Sequence, residues 1–233
     1  MPPIISLTNV VRSFTVGETT LRALDNVSFQ VMRGEFISIM GASGSGKTTM
    51  LNQIGALDRP TSGEIIIDGV HISSVKENGL FNVRRRKIGF VFQTYYLVQT
   101  LTVLDNLLLP SLPLNKSDGL EDRARQLLKT VGLEKKTHHK PNQLSGGQQQ
   151  RVAIARALIL DPPIILADEP TGNLDSKTGA DVFYLMKQLN RDFGKTFVIV
   201  THDPRIAKAT QRTVYLADGK LAPEPSPEME VAF

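Results

Sequence analysis

Phe36-Ile-Ser-Ile-Met40 runs directly into Gly41-Ala42-Ser43-Gly44-Ser45-Gly46-Lys47-Thr48, and Lys47 to Ile54 then reads as a helix. An apolar strand, a glycine-rich turn and a helix start are the context in which G-x-x-x-x-G-K-[ST] holds phosphate. Glycines let successive backbone N–H groups turn inward and form an anion nest. The helix start adds the positive end of its dipole. The Lys47 ammonium has the length to reach β- and γ-phosphates, and the Thr48 hydroxyl suits Mg2+.

Outward from this stretch, Ile4 to Val11 and Val27 to Val31 read as strands of a sheet-rich opening. Ile65-Ile66-Ile67 enters Asp68-Gly69, a hairpin signal. Further strands are expected at Ile88 to Phe92, Ile164 to Ala167, Phe197 to Thr201 and Val214 to Leu216, with a helix from Ser176 to Phe193. Strands alternating with helices predict an α/β fold on a mainly parallel sheet. Residues 94–160 carry helical stretches and no convincing strand, so they read as a helical subdomain inserted into one domain spanning 1–221. Residues 222–233 hold three Pro, three Glu and no base, and are expected to be a disordered tail.

Composition narrows the chemistry. A chain of 233 residues with 41% hydrophobic and 21% charged residues has an ordinary globular balance. It has no Cys, which excludes disulfides, thiolate zinc sites, Fe–S clusters and cysteine catalysis. The start, Met1 to Ser6, lacks the basic and apolar regions of a signal peptide. The greasiest stretch, Leu101 to Leu114, is broken by Asp105, Asn106, Pro110 and Pro113, so no membrane span is expected. A cytoplasmic protein that reaches a membrane through a partner follows. The net charge of +4 suits a polyphosphate, anionic headgroups or nucleic acid, and equally an ordinary basic surface. Arg84-Arg85-Arg86-Lys87 reads as a solvated face or subdomain seam, and His138-His139-Lys140 as a loop rather than a metal site.

Ile164-Ile165-Leu166-Ala167 ends in Asp168-Glu169. Side chains alternate along a strand, so these adjacent acids need not share a task. Asp168 is the candidate for ordering Mg2+, and Glu169 for taking a proton from the attacking water. Gln93 and His202 each follow an expected strand. Gln93 is a candidate for touching metal or water and His202 for a γ-phosphate, or each simply caps a strand. Leu144-Ser145-Gly146-Gly147-Gln148 opens another helix, with Ser145 able to cap and two glycines baring N–H groups.

Taken together, the order of these motifs resembles the nucleotide-binding subunit of an ATP-binding cassette (ABC) transporter. The resemblance covers roughly residues 4–221. It rests on 41–48, Gln93, 144–148, Asp168-Glu169, Leu174-Asp175 and His202. Ile88-Gly-Phe-Val-Phe-Gln93, Asn142 through Arg151 and Pro162 through Asp175 are similar to the branch of lipoprotein-releasing, macrolide-exporting and cell-division ATPases. The resemblance implies a phosphate-loop core with an antiparallel β subdomain at the N-terminus. It also implies ATP held by Gly41, Ala42, Ser43, Gly44, Ser45, Gly46, Lys47, Thr48 and Thr49, with Phe14 on the adenine. Thr48, Gln93 and Asp168 are the implied Mg2+ ligands, and Glu169, His202, Gln93 and Lys47 the catalytic set. Ser145, Gly146, Gly147 and Gln148 would serve the nucleotide of a second copy in an ATP-dependent head-to-tail homodimer, with Asp175 communicating between sites. The family usually carries Tyr where Phe14 stands. The implied partner is an integral membrane permease, and no nucleic acid is expected. A soluble ABC ATPase of DNA repair or translation is less well matched, since no Cys, long heptad or second cassette is present. An intact Glu169 speaks against a non-hydrolysing switch. Tyr95, Tyr96, Leu97, Leu101 and Val103 either pack within the helical subdomain or form a groove for a short helix of the partner.

Overall fold

A computed structural model describes residues 2–113 and 119–224. In chain order the elements are β1 (Ile5–Val16), β2 (Thr19–Val31), β3 (Phe36–Met40), α1 (Lys47–Ile54), β4 (Ser62–Ile67), β5 (Val70–His71) and α2 (Glu77–Lys87). Then follow β6 (Ile88–Phe92), α3 (Val103–Leu108), α4 (Leu120–Thr130), α5 (Gly146–Leu158), β7 (Ile164–Asp168) and α6 (Ser176–Phe193). The last are β8 (Thr196–Val200), α7 (Pro204–Lys208), β9 (Arg212–Ala217) and β10 (Lys220–Ala222). The chain divides into two compact units.

The first unit takes residues up to 32, 37–75 and from 200 onward. Its antiparallel sheet has the order β2-β1-β4-β5. β1 and β2 form a hairpin closed by Gly17-Glu18, with Val16 opposite Thr19. Ile5, Leu7, Val10, Leu24, Val27 and Val31 bury one face of it. The β4–β5 turn is the expected Asp68-Gly69, both at positive φ (44° and 79°), which a tight hairpin turn of matching twist requires. In the same unit β3 pairs parallel with β9, and β9 pairs antiparallel with β10. β10 takes the chain through Ala222, the first residue of the expected tail, and residues 225–233 lie outside the described residues.

The second unit takes residues 33–36 and 76–199. Its strands run β8-β7-β6, with β6 and β7 parallel. Ile164, Ile165, Leu166 and Ala167 are all buried, as a strand covered on both faces demands. Between 94 and 160 the described elements are α3, α4, α5 and one-turn 3-10 segments. α6 is capped by Asp175 and stopped by Gly194 at φ 62°, and it buries Val182, Leu185, Met186 and Leu189 along one face. The basic run 84–87 forms the last turn of α2, where positive charge meets the negative end of the helix dipole.

Candidate functional site

The predicted residues fall in both units. The first unit holds Phe14, the loop 41–49 and His202, and the second holds Gln93, Ser145–Gln148, Asp168 and Glu169.

In the first unit the 41–48 turn joins β3 to α1, as the sequence predicts. Gly46 caps α1 at φ 103° and, being glycine, supplies no side-chain cap. A Cβ there would lie 2.4 Å from the Ala23 carbonyl oxygen, so the position needs glycine for space as well as for φ. With glycine at the cap, the start of α1 offers a dipole-assisted anion site. Lys47 folds back over the loop, its Nζ donating to the Gly41 and Ala42 carbonyls at 2.7 and 2.8 Å. The Ser45 carbonyl accepts from Gly219 N at 3.0 Å, and the Gly219 carbonyl accepts from Asp25 N at 2.8 Å, which pins the loop to β2. Ser45 Oγ is buried with no hydrogen-bond partner among the described residues. An orphaned hydroxyl beside an uncapped helix start suits a phosphate oxygen.

Phe14 lies on β1, 38% exposed. The Arg12 guanidinium carbon sits 4.4 Å from its ring centroid, and Arg12 Nε pairs with Asp58 Oδ2 at 2.7 Å. One face of Phe14 therefore carries a cation. His202 is exposed just before α7, whose N-cap Asp203 accepts from Arg205 N.

In the second unit β7 ends at Asp168, half-buried, and Glu169 follows at φ 46°. Left-handed backbone at a residue other than glycine costs about 1–2 kcal/mol and persists where neighbours enforce it. Here Glu169 O accepts from Gly172 N at 3.0 Å, closing the turn 169–172. Gln93 follows β6, and its Nε2 donates to Asn173 Oδ1 at 3.0 Å.

Ser145 caps α5 in a capping box. Gln148 N donates to Ser145 Oγ at 3.3 Å, and Ser145 N donates to Gln148 Oε1 at 3.1 Å. Gly147 is packed so closely that a Cβ would lie 2.3 Å from Thr178 Cγ2. Asp175, expected to communicate between sites, caps α6 through Lys177 N and Thr178 N. Its hydrogen bond with Thr178 holds the carboxyl below its ordinary range.

Four residues bear on this geometry without having been predicted: Arg12, Gln150, Arg156 and Asn173. Three of them act on backbone or side chains 20 to 80 positions away, a relationship no local motif displays. No cluster of three or more His, Asp or Glu able to hold a metal occurs among the described residues. Mg2+ does not need one, since it favours one or two protein oxygens plus phosphate oxygens.

Residues 24–172 match the family model of the ABC transporter. The chain belongs to this family. It is 52% identical over 225 residues to an uncharacterized ABC transporter ATP-binding protein of Methanocaldococcus jannaschii, MJ0796, covering 94% of this chain and 96% of that one. It is 45% identical to the lipoprotein-releasing system ATP-binding protein LolD of Syntrophotalea carbinolica, covering 93% of this chain and 96% of the relative. Among solved structures it resembles the dimeric post-hydrolysis state of the MJ0796 cassette bound to ADP and Pi. That match has a TM-score of 0.85 and 49% identity, over 95% of this chain and 98% of that one. The α/β ABC ATPase fold expected from the sequence is thereby confirmed. The chain is an ABC transporter ATP-binding subunit.

Proposed function

We propose that two copies of this chain bind ATP between them and hydrolyse it to drive a separate membrane permease. The observation that carries the reading is the uncapped start of α1 beside Lys47 and the orphaned Ser45 hydroxyl. Gly41, Ala42, Ser43, Gly44, Ser45 and Gly46 present the loop backbone to phosphate, with Lys47, Thr48 and Thr49 at the helix start. Lys47 Nζ now spends its donors on two loop carbonyls, and the same ammonium turns to β- and γ-oxygens when they arrive.

Thr48, Gln93 and Asp168 are the proposed holders of Mg2+, which when bound offsets charge on the phosphate oxygens. Glu169 accepts the proton of the attacking water. His202 donates to the γ-phosphate oxygens. Phe14 offers adenine the ring face opposite Arg12. Ser145, Gly146, Gly147 and Gln148 act on the partner copy's nucleotide, in a head-to-tail dimer that forms with ATP and parts after hydrolysis. The dimeric cassettes solved for MJ0796 support the pairing.

No helix among the described residues is long and apolar enough to cross a membrane. We read the cassette as working on the cytoplasmic face of a permease partner. A macrolide export ATP-binding/permease protein of Paracoccus denitrificans matches 94% of this chain over only 33% of its own length. We read this chain as supplying the ATP-binding part of such a machine.

Glu169→Gln tests the reading. The amide cannot take the proton, so turnover should fall about 10²–10⁴-fold while ATP binding persists. Size-exclusion chromatography with ATP should then show a stable dimer. A variant that stays monomeric and hydrolyses at the parent rate overturns the assignment.

A further inference from the structure

Gln150 lies in the second turn of α5, and its side chain is fully buried. Its Nε2 donates to the Pro170 carbonyl at 2.5 Å and to the Phe92 carbonyl at 3.3 Å. Phe92 ends β6 immediately before Gln93, and Pro170 immediately follows Glu169. One amide nitrogen thus ties α5 to the backbone beside both residues.

The other end of the amide has no such reward. Oε1 is buried without a hydrogen-bond partner among the described residues. The two carbonyls settle which end is nitrogen, because a flipped amide would set oxygen against two acceptors. A buried acceptor left unpaired opposes stability. An apolar side chain of similar length would avoid that cost but deprive both carbonyls of this donor, so glutamine here serves the two backbone bonds rather than packing.

Arg156, two turns further along α5, completes the pattern. Its guanidinium donates to the Tyr95 carbonyl at 2.7 Å and the Tyr96 carbonyl at 2.5 Å. α5 therefore grips the chain on both sides of Gln93 and just after Glu169, whose φ of 46° needs enforcement by its neighbours. The same helix begins at the Ser145 cap.

We infer that Gln150 is a positioning residue, fixing Glu169 and Gln93 relative to the N-terminus of α5. This rests on the proposed roles of Glu169 and Gln93 in hydrolysis. A movement at the start of α5 is then passed to both residues through one side chain, without any contact between Gln150 and nucleotide.

Gln150→Met keeps length and apolar volume while removing both donors and the orphaned oxygen. It also takes a donor from the Phe92 and Pro170 carbonyls, so its melting temperature should fall modestly, while its KM for ATP should stay within about twofold. Its kcat should fall by about tenfold or more, the mark of lost alignment rather than lost binding. A stable variant with parental kcat overturns the inference.

Gln150→Glu decides the matter if the Met variant does not fold. Its carboxyl can donate to a carbonyl only when protonated, so kcat relative to the parent should decline from about pH 6 to about pH 9. A ratio independent of pH overturns the inference as well. Glu169→Gln, assayed in parallel, separates the two levels. If it retains parental kcat, the hydrolytic reading itself is wrong. If it is inactive while Gln150→Met is unimpaired, only the positioning role falls.

Discussion

Gln93 and Asn173 hold each other reciprocally: Gln93 Nε2 donates to Asn173 Oδ1 at 3.0 Å, and Asn173 Nδ2 donates to the Gln93 carbonyl at 3.1 Å. The pair joins the end of β6 to the turn that follows Glu169. It commits the amide nitrogen of Gln93 and leaves Oε1 as the end suited to metal or water.

Asn173→Ala removes both bonds at once. Two bonds of this kind contribute about 1–3 kcal/mol to placement, enough for a loss of roughly tenfold in turnover. Nucleotide affinity should hardly change, since the phosphate loop is untouched. Steady-state ATPase rates with a fluorescent-nucleotide titration check this. Turnover equal to the parent's would show that Gln93 works without the tether.

The adenine contact gives a graded series. Phe14→Ala should raise the KM for ATP by the equivalent of about 1–3 kcal/mol, the range for base–aromatic stacking. Arg12→Ala leaves the ring in place but removes the guanidinium 4.4 Å from its centroid. Its effect should be smaller, about 0.5–1 kcal/mol. Unchanged KM in Phe14→Ala would assign the ring to the sheet surface instead.

Much of this was legible in the sequence. Lys47–Ile54, Ile88–Phe92 and Ser176–Phe193 appear in the structure at their expected bounds, because buried strands and a capped amphipathic helix write strong patterns. α2 was not foreseen. Only Leu80 and Val83 are buried in it, under a run of charges that hides the period, and its N-cap Lys76 makes no side-chain cap. β10 lies beyond the expected strands: Asp218-Gly219, both at positive φ, carries the same turn signal as Asp68-Gly69, but the strand's three residues are too few to display an alternation. Motif residues were legible because their chemistry is in their residue type. Gln150, Arg156 and Asn173 were not, because their meaning lies in carbonyls and amides brought near by the fold.

The second copy's signature segment is best perturbed at Ser145. Gly147→Asp pushes a Cβ toward Thr178 Cγ2, 2.3 Å away, so it disturbs the start of α6 as well as the segment. Ser145→Arg removes a capping interaction, about 1 kcal/mol, and leaves the phosphate loop alone. It should abolish turnover and spare nucleotide binding by the monomer. Mixed with inactive Lys47→Ala, it should regain part of the activity through one intact composite site. Loss of monomer binding in Ser145→Arg would refute action on the partner's nucleotide.

Acid stability has a local source at Asp161. Burial pushes its carboxyl up, but hydrogen bonds and charge from Lys195 and Arg123 outweigh this and hold it below its ordinary value. Lys195 Nζ lies 2.9 Å and Arg123 Nη2 2.8 Å from its Oδ1. A carboxyl depressed in the folded state adds stability above its unfolded pKa of about 3.9, lost as pH falls through the folded value. Asp161→Asn should therefore lower the melting temperature near neutrality and flatten its decline below about pH 4. Parallel curves for parent and variant would remove Asp161 as the source.

The final prediction concerns the segment after Gln93. The expected groove narrows in the structure, since Leu97 and Val103 are buried and belong to the core. Tyr96 remains 68% exposed, edge-on to Phe92 with centroids 5.2 Å apart. Its φ of 47° is enforced by Arg156 on its carbonyl. An exposed tyrosine held in strained backbone is a poor contribution to stability and a good rigid anchor for a partner. Tyr96→Asp is a clean probe, because Asp tolerates left-handed backbone and little packing is lost. The variant should melt with the parent and keep ATP turnover within about twofold. It should fail to co-purify with the membrane permease co-expressed from the same genome, and ATP should no longer drive that partner. Normal assembly by a folded Tyr96→Asp would place the docking surface elsewhere.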